Sequence, residues 1–335
     1  MENTSDPLVD AVDVPVPQTA PRKKAWKPVL KFTAAAGILS YLLYKVPFSE
    51  IWAAMIAAKW QLLLAAVAMT FLVQWTTADR LRRLLAVSGN KISTWQIFEI
   101  NLSTLFYGLF LPGGNFTGIA IRFYRLSAEK QNAYATGVAL FSDRVISTVT
   151  LLLVGILFWL PYRQDEGWIP LWIMAGSLLG LLGAIGAFLG AERFRFMRPL
   201  QRLLARFGGK IGGKIRGALQ DQSKCSTGEL FRICLLSIVT HLLGIIAYTF
   251  IAQSLGIEIG WVAMGWVRSS IILATMIPLT PSGIGLREGA SLLLLSHMGV
   301  SEETALAFSL LVFGMTVLLV GAIGGLFEAR RLAKF

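Results

Sequence analysis

Long apolar runs place the strongest limit on how this chain can fold. Each run approaches the ~20 consecutive apolar residues that a helix needs to cross the hydrocarbon core of a bilayer. The runs lie at residues 29–46, 60–78, 133–160, 168–190, 230–254 and 303–327. We therefore predict a membrane protein with six full transmembrane helices.

Composition agrees with a membrane protein and argues against a soluble or nucleic-acid-binding one. Of the 335 residues, 55% are hydrophobic and only 15% are charged, with a mean hydropathy of +0.63. The formal net charge is +12, but the cations flank the apolar runs instead of covering one soluble face. The two cysteines lack the spacing of a zinc site or a disulfide framework. We predict no metal, no cofactor and no nucleic-acid partner.

The amino-terminal part of the chain has two predicted features. Residues 1–27 begin with an acidic, proline-containing stretch and end in a basic cluster, which is typical of a disordered cytoplasmic tail and not of a secretory signal. After the first span, Ile51, Trp52, Met55 and Ile56 repeat at helical spacing. This spacing predicts a short helix at the membrane interface.

Two further apolar stretches, residues 95–121 and 262–297, are interrupted by proline and glycine. The second contains "LTPSGIGLREGA", residues 279–290. Unpaired backbone groups in lipid cost several kcal/mol each, so such a break persists only inside protein or beside water. A charged side chain at the same depth costs about 2.5 to 3.5 kcal/mol. Arg287 and Glu288 therefore indicate a polar interior.

The two interrupted stretches belong to an internal repeat. "LPGGNFTGIAIRFY" aligns with "IPLTPSGIGLREGA" when Pro112 is paired with Pro278, an offset of 166 residues. Both copies keep the order of broken segment, charged residue, short polar turn and long helix. We divide the chain into a first membrane repeat at 28–160, a second at 161–328 with a basic loop at 191–228, and a cytoplasmic tail at 329–335.

Basic residues predict the orientation of both repeats. Cytoplasmic loops carry the excess of Lys and Arg. The cluster of Arg80, Arg82, Arg83 and Lys91 after the second span is predicted to lie in such a loop. Every other basic cluster also becomes cytoplasmic if residues 95–121 enter and leave on one face. This places both termini in the cytoplasm of the plasma membrane. The predicted fold is an all-α polytopic membrane protein with six full transmembrane helices and two re-entrant helical hairpins, arranged as inverted repeats. Inverted repeats with broken helices are typical of alternating-access transporters.

Candidate substrate-binding residues lie in and beside the two hairpins. In the second hairpin, Arg287, Arg268 and the amides from Ser282 through Gly283 to Gly285 would hold an anionic headgroup. Glu288 would receive a cationic or proton-linked part of the substrate. The opposite gate would be formed by Arg122 with Gly113 and Gly114. No catalytic residue and no metal ligand is predicted.

Several polar residues allow two interpretations. Asp143 and Arg144 either form ion pairs, mutually or across helices, or line a substrate or proton path. Arg268 either holds a phosphate or neutralises Glu288. His241 either packs between helices or relays protons. The basic loop at 191–228 is either an amphipathic helix lying on anionic cytoplasmic-leaflet lipid or a simple topology determinant.

"LTPSGIGLREG", together with the upstream "LPGG" and "IRFYRL", resembles the two signatures of the lysylphosphatidylglycerol synthase transmembrane region, a flippase-like family. The likeness covers residues 29–327, although "GGNFTGIAIR" lacks the acidic residue that the family often places before the arginine. The resemblance implies an eight-segment domain that translocates an aminoacylated phospholipid or a related lipid-linked molecule. The soluble aminoacyl-transferase domain of two-part members is not expected here.

Three functional classes follow. The first is a translocator of an anionic or aminoacylated phospholipid, or of a lipid-linked polyprenyl-phosphate molecule. The second is a membrane glycosyltransferase that uses a polyprenyl-phosphate sugar, although the chain has no Asp-x-Asp pair on the predicted outer face. The third is a non-transporting subunit that binds lipid. The chain has no Gly-rich Walker loop, so we expect coupling other than ATP hydrolysis.

Overall fold

The computed structural model describes most of the predicted membrane region as helices. The described residues are 48–110, 115–127, 133–162, 172, 175–179, 225–276, 280 and 283–333. Within them every regular element is helical. Predictions that fall wholly or mostly outside them concern residues 1–27, 29–46, 168–190 and 191–228.

The helices are named α1 to α10 in chain order over the described residues. Their bounds are α1 Phe48–Ala57, α2 Trp60–Val87, α3 Thr94–Phe110, α4 Asn115–Ser127, α5 Ala133–Trp159, α6 Thr227–Ser254, α7 Trp261–Met276, α8 Leu286–His297, α9 Glu302–Phe313 and α10 Leu319–Leu332. A 3-10 turn, Leu160–Tyr162, extends α5. A π-helical segment, Gly314–Leu318, joins α9 to α10 as one continuous rod.

Four of these rods are long and apolar enough to cross a membrane: α2, α5 with its 3-10 turn, α6, and α9 with α10. At 28 residues each, α2 and α6 measure about 42 Å, which exceeds the ~30 Å hydrocarbon core. Serine caps begin two of the rods, because Ser226 accepts from the Glu229 amide and Ser301 from the Thr304 amide. The chain is therefore a multi-pass, all-α membrane protein.

Two predicted helix ends are wrong. We expected the second span to end near residue 78, but α2 continues to Val87. Arg80, which we placed in a cytoplasmic loop, therefore lies within the helix and is only 2% exposed. The last helix also extends beyond its predicted end at 327, through much of the predicted tail, to Leu332. In both cases charged residues continue the helix because they find partners on neighbouring helices.

Helices α2 and α6 pack side by side and run in opposite directions. At one end, the Lys59 amide donates to the Ser254 carbonyl over 2.9 Å. Near the middle, Thr240 donates to the Thr76 hydroxyl over 2.9 Å. At the other end, Nη1 of Arg83 lies 2.8 Å from Oε1 of Glu229. Residue numbers rise along α2 as they fall along α6, so the two helices are antiparallel along their whole length.

Helices α3 and α4 form the first hairpin. A Cβ added to Gly118 on α4 would lie 2.8 Å from the Thr104 carbonyl oxygen and 3.6 Å from Cα of Gly108, so α4 returns closely along α3. Trp95, at the start of α3, contacts Phe327 edge to face, with ring centroids 6.1 Å apart. Near the end of α4, Arg125 bonds the neighbouring Glu328. The hairpin therefore starts and finishes at the same end of the helix bundle.

Helices α7 and α8 form the second hairpin. A Cβ added to Gly283, just before α8, would lie 2.9 Å from Cβ of Thr275 near the end of α7. Trp261, which begins α7, contacts Phe158 near the end of α5, with ring centroids 5.4 Å apart. Farther along α8, Leu292 packs in a cluster with Leu255 and Ile51. These neighbours lie at the end of the bundle where α2 begins and α6 ends.

The two halves of the described chain repeat one order of helices. Helices α2, α3, α4 and α5 correspond in order and approximate length to α6, α7, α8 and the α9–α10 rod. In each half, the first hairpin helix packs against the last long helix of the other half. Helix α3 lies along α10, and a Cβ added to Gly324 of α10 would meet the Leu102 carbonyl of α3. Helix α7 lies along α5, and a Cβ added to Gly265 of α7 would meet the Phe158 ring of α5. The small residues allow the close approach.

The predicted interfacial segment is a helix, α1. Its Ile51 side chain is buried against Leu306 and Ala307 of α9, whereas Trp52 is 52% exposed and Ile56 is 68% exposed. Helix α1 therefore buries one face on the second half of the chain and leaves apolar side chains on its outer face.

Candidate functional site

The amino end of α8 carries the adjacent charges Arg287 and Glu288. Both Gly283 and Gly285 adopt positive φ angles, 72° and 85°, which glycine tolerates and other residues rarely adopt. Oε2 of Glu288 accepts a hydrogen bond from the Gly285 amide over 2.6 Å, as N-terminal acidic caps do. The carboxylate therefore stabilises the start of its own helix.

This geometry corrects one part of the predicted anion site. We expected a helix beginning near Ser282 with free amides, but α8 begins at Leu286. The Gly285 amide is bonded to Glu288, and the Gly283 amide donates to the Thr280 carbonyl over 3.4 Å. These two amides are therefore satisfied within the protein.

Arg287 is buried and paired with its neighbour in sequence. Its Nε and Nη2 atoms donate to Oε1 of Glu288 over 3.2 and 2.8 Å. The guanidinium carbon also lies 4.5 Å from the ring centroid of Phe313, the last residue before the π-helical segment. Charge pairing and cation–π contact both stabilise the buried guanidinium.

Arg268, on α7, is the buried cation of the second half that has no carboxylate partner among the described residues. Its guanidinium carbon lies 5.4 Å from the Tyr248 ring centroid. It also covers Gly244, where any Cβ would meet the guanidinium. The Nε and Nη1 atoms are buried and make no hydrogen bond with the described chain. Neutralisation of Glu288 by Arg268 is not observed, because Glu288 pairs with Arg287.

His241 lies one helical turn before Gly244 on α6. Its Nε2 atom is 2.9 Å from the carbonyl oxygen of Ser147 on α5, so the ring connects the two halves. Its Nδ1 atom is buried without a hydrogen-bond partner in the described part of the chain. The observed bond is that of a packing histidine.

A polar network joins α2 and α5 of the first half to α6 of the second half. Nε of Arg80 donates to Oδ1 of Asp143 over 2.7 Å, and its Nη1 atom donates to the Ser237 hydroxyl over 2.8 Å. The Ser237 and Thr150 hydroxyl oxygens are 2.6 Å apart. Of the two interpretations of Asp143, the structure shows a cross-helix ion pair.

Arg122, on α4, lies near this network but does not join it. Its Nε and Nη2 atoms are buried and have no hydrogen-bond partner among the residues that the structure describes. The charges that act on it are those of Asp143, Arg80 and Arg144. Asp143 is bonded to Arg80, and Arg144 is exposed on the same helix. The region around Arg122 therefore carries an excess of positive charge.

Ion pairs also connect the helices at one end of the bundle, and we call this group of charged residues the charged rim. Asp79 forms ion pairs with Arg82 and Arg83, each over 2.9 Å. Arg83 also forms an ion pair with Glu229. Glu328 binds Arg125 over 2.7 Å and Arg331 over 3.4 Å. These pairs join the first half of the chain to the second. The charged rim consists of Asp79, Arg82, Arg83, Arg125, Glu229, Glu328 and Arg331.

The predicted site residues fall into two groups. Arg268 lies over the ring of Tyr248, and the charges of Arg287 and Glu288 also act on the Tyr248 hydroxyl. Arg122, Asp143 and Arg144 lie together near Arg80. Gly283 and Gly285 shape the start of α8. Gly113, Gly114 and Ser282 lie outside the described residues.

Sequence reasoning missed Arg80, Ser237 and Tyr248. A signal for Arg80 existed, because Thr76, Arg80 and Leu84 follow at four-residue spacing in an unbroken helical pattern. For Tyr248 and Ser237 the pattern offered no signal. Both are ordinary residues of an apolar helix, and only packing shows that they meet charged groups.

Comparison with known protein families assigns the chain to one of them. A family model described as "Lysylphosphatidylglycerol synthase TM region" matches residues 29–324. The chain belongs to this family. Membership in the lysylphosphatidylglycerol synthase TM region family confirms the resemblance carried by "LTPSGIGLREG", and it relates the protein to lipid modification or translocation.

The match to the lysylphosphatidylglycerol synthase TM region contains both groups of charged residues, from Arg80 to Glu288. It also contains both hairpins. No curated protein matches the sequence significantly.

Proposed function

We propose that this protein translocates a lipid, or a lipid-linked molecule, between the leaflets of the plasma membrane. The observation that carries the proposal is the arrangement of the two hairpins. The hairpin of α3 and α4 starts and finishes at the charged rim, whereas that of α7 and α8 lies with its ends at the opposite end of the bundle. Two broken-helix elements that enter from opposite faces are typical of alternating-access transporters.

The lengths of the hairpin helices support re-entrance into the membrane. Helices α3 and α7 have 17 and 16 residues, and α4 and α8 have 13 and 12. At 1.5 Å per residue they measure about 18 to 26 Å, less than the ~30 Å hydrocarbon core. A helix pair of this length that returns to its starting face dips into the membrane without crossing it.

Antiparallel packing of α2 and α6 supports an inverted repeat. These helices occupy the same position in their halves, have 28 residues each, and run in opposite directions. Equivalent helices of opposite direction are what an inverted duplication produces. The charged rim would lie on the cytoplasmic side, because the helix ends that carry it are followed or preceded by basic loops. Both termini would lie on the same side. The basic loop at 191–228 would contact anionic lipid on that face.

The site residues take the following proposed roles. Arg268 would bind the anionic part of the substrate midway through the second half, and Arg122 would bind it in the first half. Arg287 and Glu288 would support the second hairpin through their pair and helix cap. Asp143 would hold Arg80, and Arg144 would add positive charge. Glycines at 113, 114, 283 and 285, with Ser282, would permit the two hairpin turns.

Vesicle reconstitution tests the proposal. Purified protein is placed in liposomes with labelled phospholipids and polyprenyl phosphates, and leaflet exchange is measured for wild type, Arg268→Gln, Arg287→Ala and Glu288→Ala. We expect wild-type exchange above protein-free vesicles and a loss in each variant. Arg232→Gln is the matched control, because Arg232 is 69% exposed near the charged rim. Sugar transfer without exchange of any lipid would instead favour a glycosyltransferase.

A further inference from the structure

Not every charged group with buried atoms in the described chain has a partner. Three carboxylates are buried, and each is bound by groups of the protein. Asp143 accepts a hydrogen bond from Arg80, and Glu288 accepts hydrogen bonds from Arg287 and the Gly285 amide. Glu328 forms ion pairs with Arg125 and Arg331. Two guanidiniums, Arg122 and Arg268, keep buried donors that bond to nothing described. One lies in each half.

A guanidinium with buried donors and no partner among the described residues favours an anionic ligand. Burial removes its water, and leaving charged donors unsatisfied in a low-dielectric interior is costly. In Arg122 the unpaired atoms are Nε and Nη2. They share one edge of the guanidinium, the edge that binds a phosphate or carboxylate through two parallel hydrogen bonds.

The surroundings of Arg268 are those of a positioned cation. Gly244 leaves room for the guanidinium, and Tyr248 holds it from one face. At 7% exposure the residue is not a surface arginine extended into water. No carboxylate of the described chain forms an ion pair with Arg268, and its buried Nε and Nη1 atoms make no hydrogen bond there. Its positive charge is therefore available to an anion.

We infer that the lipid headgroup this protein handles carries a net negative charge on phosphate, bound by Arg268 in one half and by Arg122 in the other. This inference rests on the proposed translocation and narrows its substrate. A cationic aminoacylated headgroup would need a free buried carboxylate. In the described chain each buried carboxylate is bound by arginine, whereas the charged side chains with unpaired buried atoms are the cations Arg122 and Arg268. The anion passes between two like sites, and no carboxylate has to release its partner.

Headgroup competition in vesicles tests the inference. Wild-type protein is reconstituted in phosphatidylcholine with trace labelled phosphatidylglycerol, labelled phosphatidylcholine or the labelled lysine ester of phosphatidylglycerol, and leaflet exchange is timed. We expect the anionic lipid to exchange about tenfold or more faster than the cationic one. Arg268→Gln and Arg122→Gln should each slow the exchange of the anionic lipid about tenfold, which corresponds to the loss of one charged hydrogen bond. Arg232→Gln should not.

A conservative variant and a binding measurement separate misfolding from loss of the site. Arg268→Lys keeps the charge but loses the planar fork, so anionic exchange should fall between wild type and Arg268→Gln. In detergent, wild type should bind spin-labelled phosphatidylglycerol in preference to the lysine ester, and Arg268→Gln should lose that preference with an unchanged melting temperature.

The outcomes distinguish the two proposals. Exchange of the cationic lipid as fast as the anionic one would overturn the net-anion inference and leave translocation standing. Preferential binding of phosphatidylglycerol without exchange of any lipid would support the anion site and overturn translocation. Displacement of the spin-labelled lipid by millimolar inorganic phosphate would support phosphate as the recognised group. Phosphate binding with no lipid binding would overturn the lipid headgroup as its source.

Discussion

Asp143 on α5 accepts a 2.7 Å hydrogen bond from Nε of Arg80 on α2. The same guanidinium donates to Ser237 of α6, so one arginine holds three helices and both halves of the protein together. Arg80 is 2% exposed and Asp143 is 5% exposed. A buried pair of this kind is costly to break from one side only.

Single removal of either partner should destabilise the protein more than removal of both. Arg80→Met leaves Asp143 as an uncompensated buried carboxylate, and Asp143→Leu leaves Arg80 in the same condition. We expect each to cost about 3 to 5 kcal/mol of folding free energy, and the double variant to cost less. Thermal unfolding in detergent measures the cycle. Additive losses in the double variant would show that the two residues are not coupled.

Gly324 should be intolerant of alanine. A Cβ at this position would meet the backbone carbonyl of Leu102, and backbone cannot swing aside. Helices α3 and α10 would have to separate, with an expected cost of about 1 to 3 kcal/mol. Gly314→Ala on the same rod is the control, because nothing lies within 4 Å of its added Cβ. Equal melting temperatures for the two variants would contradict the close packing.

Gly244→Ala should reduce lipid exchange without reducing stability. The added methyl group would meet the guanidinium of Arg268, which is the far end of a flexible side chain and can move away. We expect about tenfold slower exchange of anionic lipid, as for a lost charged hydrogen bond. Gly228→Ala, in the first turn of the same helix, meets nothing within 4 Å and serves as the control. Normal exchange in Gly244→Ala would show that the position of Arg268 is unimportant.

Sequence patterns predicted those parts of the fold that depend on hydrophobicity and backbone chemistry. Apolar length located α2, α5, α6 and the α9–α10 rod, because crossing a bilayer demands it. Proline and glycine located the separation of α7 from α8, since they disfavour helix. The family follows from "LTPSGIGLREG", whose glycines at 283 and 285 adopt φ angles that other residues avoid.

Pairing between side chains could not be read from the sequence. Positive charge after an apolar run normally marks a loop, so Arg80 was assigned to one, yet its partner Asp143 lies 63 residues away. Glu288 was expected to serve a substrate, but it is bound by Arg287 and the Gly285 amide. In both cases three-dimensional proximity, which no local pattern encodes, decides whether a charge is used internally or remains available.

Cysteine labelling from the two sides of the membrane should reveal the mirrored arrangement of the hairpins. Lys91 and Ala133 are exposed and flank the first hairpin, and Glu258 and Glu302 are exposed and flank the second. We expect cysteines at 91 and 133 to react from the cytoplasm, and cysteines at 258 and 302 to react from outside. An impermeant maleimide applied to intact and to opened cells distinguishes the sides.

The native thiols are first replaced by serine in this experiment. Burial raises the pKa of the Cys225 thiol, which slows but does not abolish its reaction. If α3 and α4 together cross the membrane once, position 133 reacts from outside while position 91 reacts from the cytoplasm. The second repeat would then follow in the same orientation as the first. Arg122 and Arg268 would no longer lie on hairpins that enter from opposite faces. Transfer of a lipid headgroup from one arginine to the other would then have no structural basis.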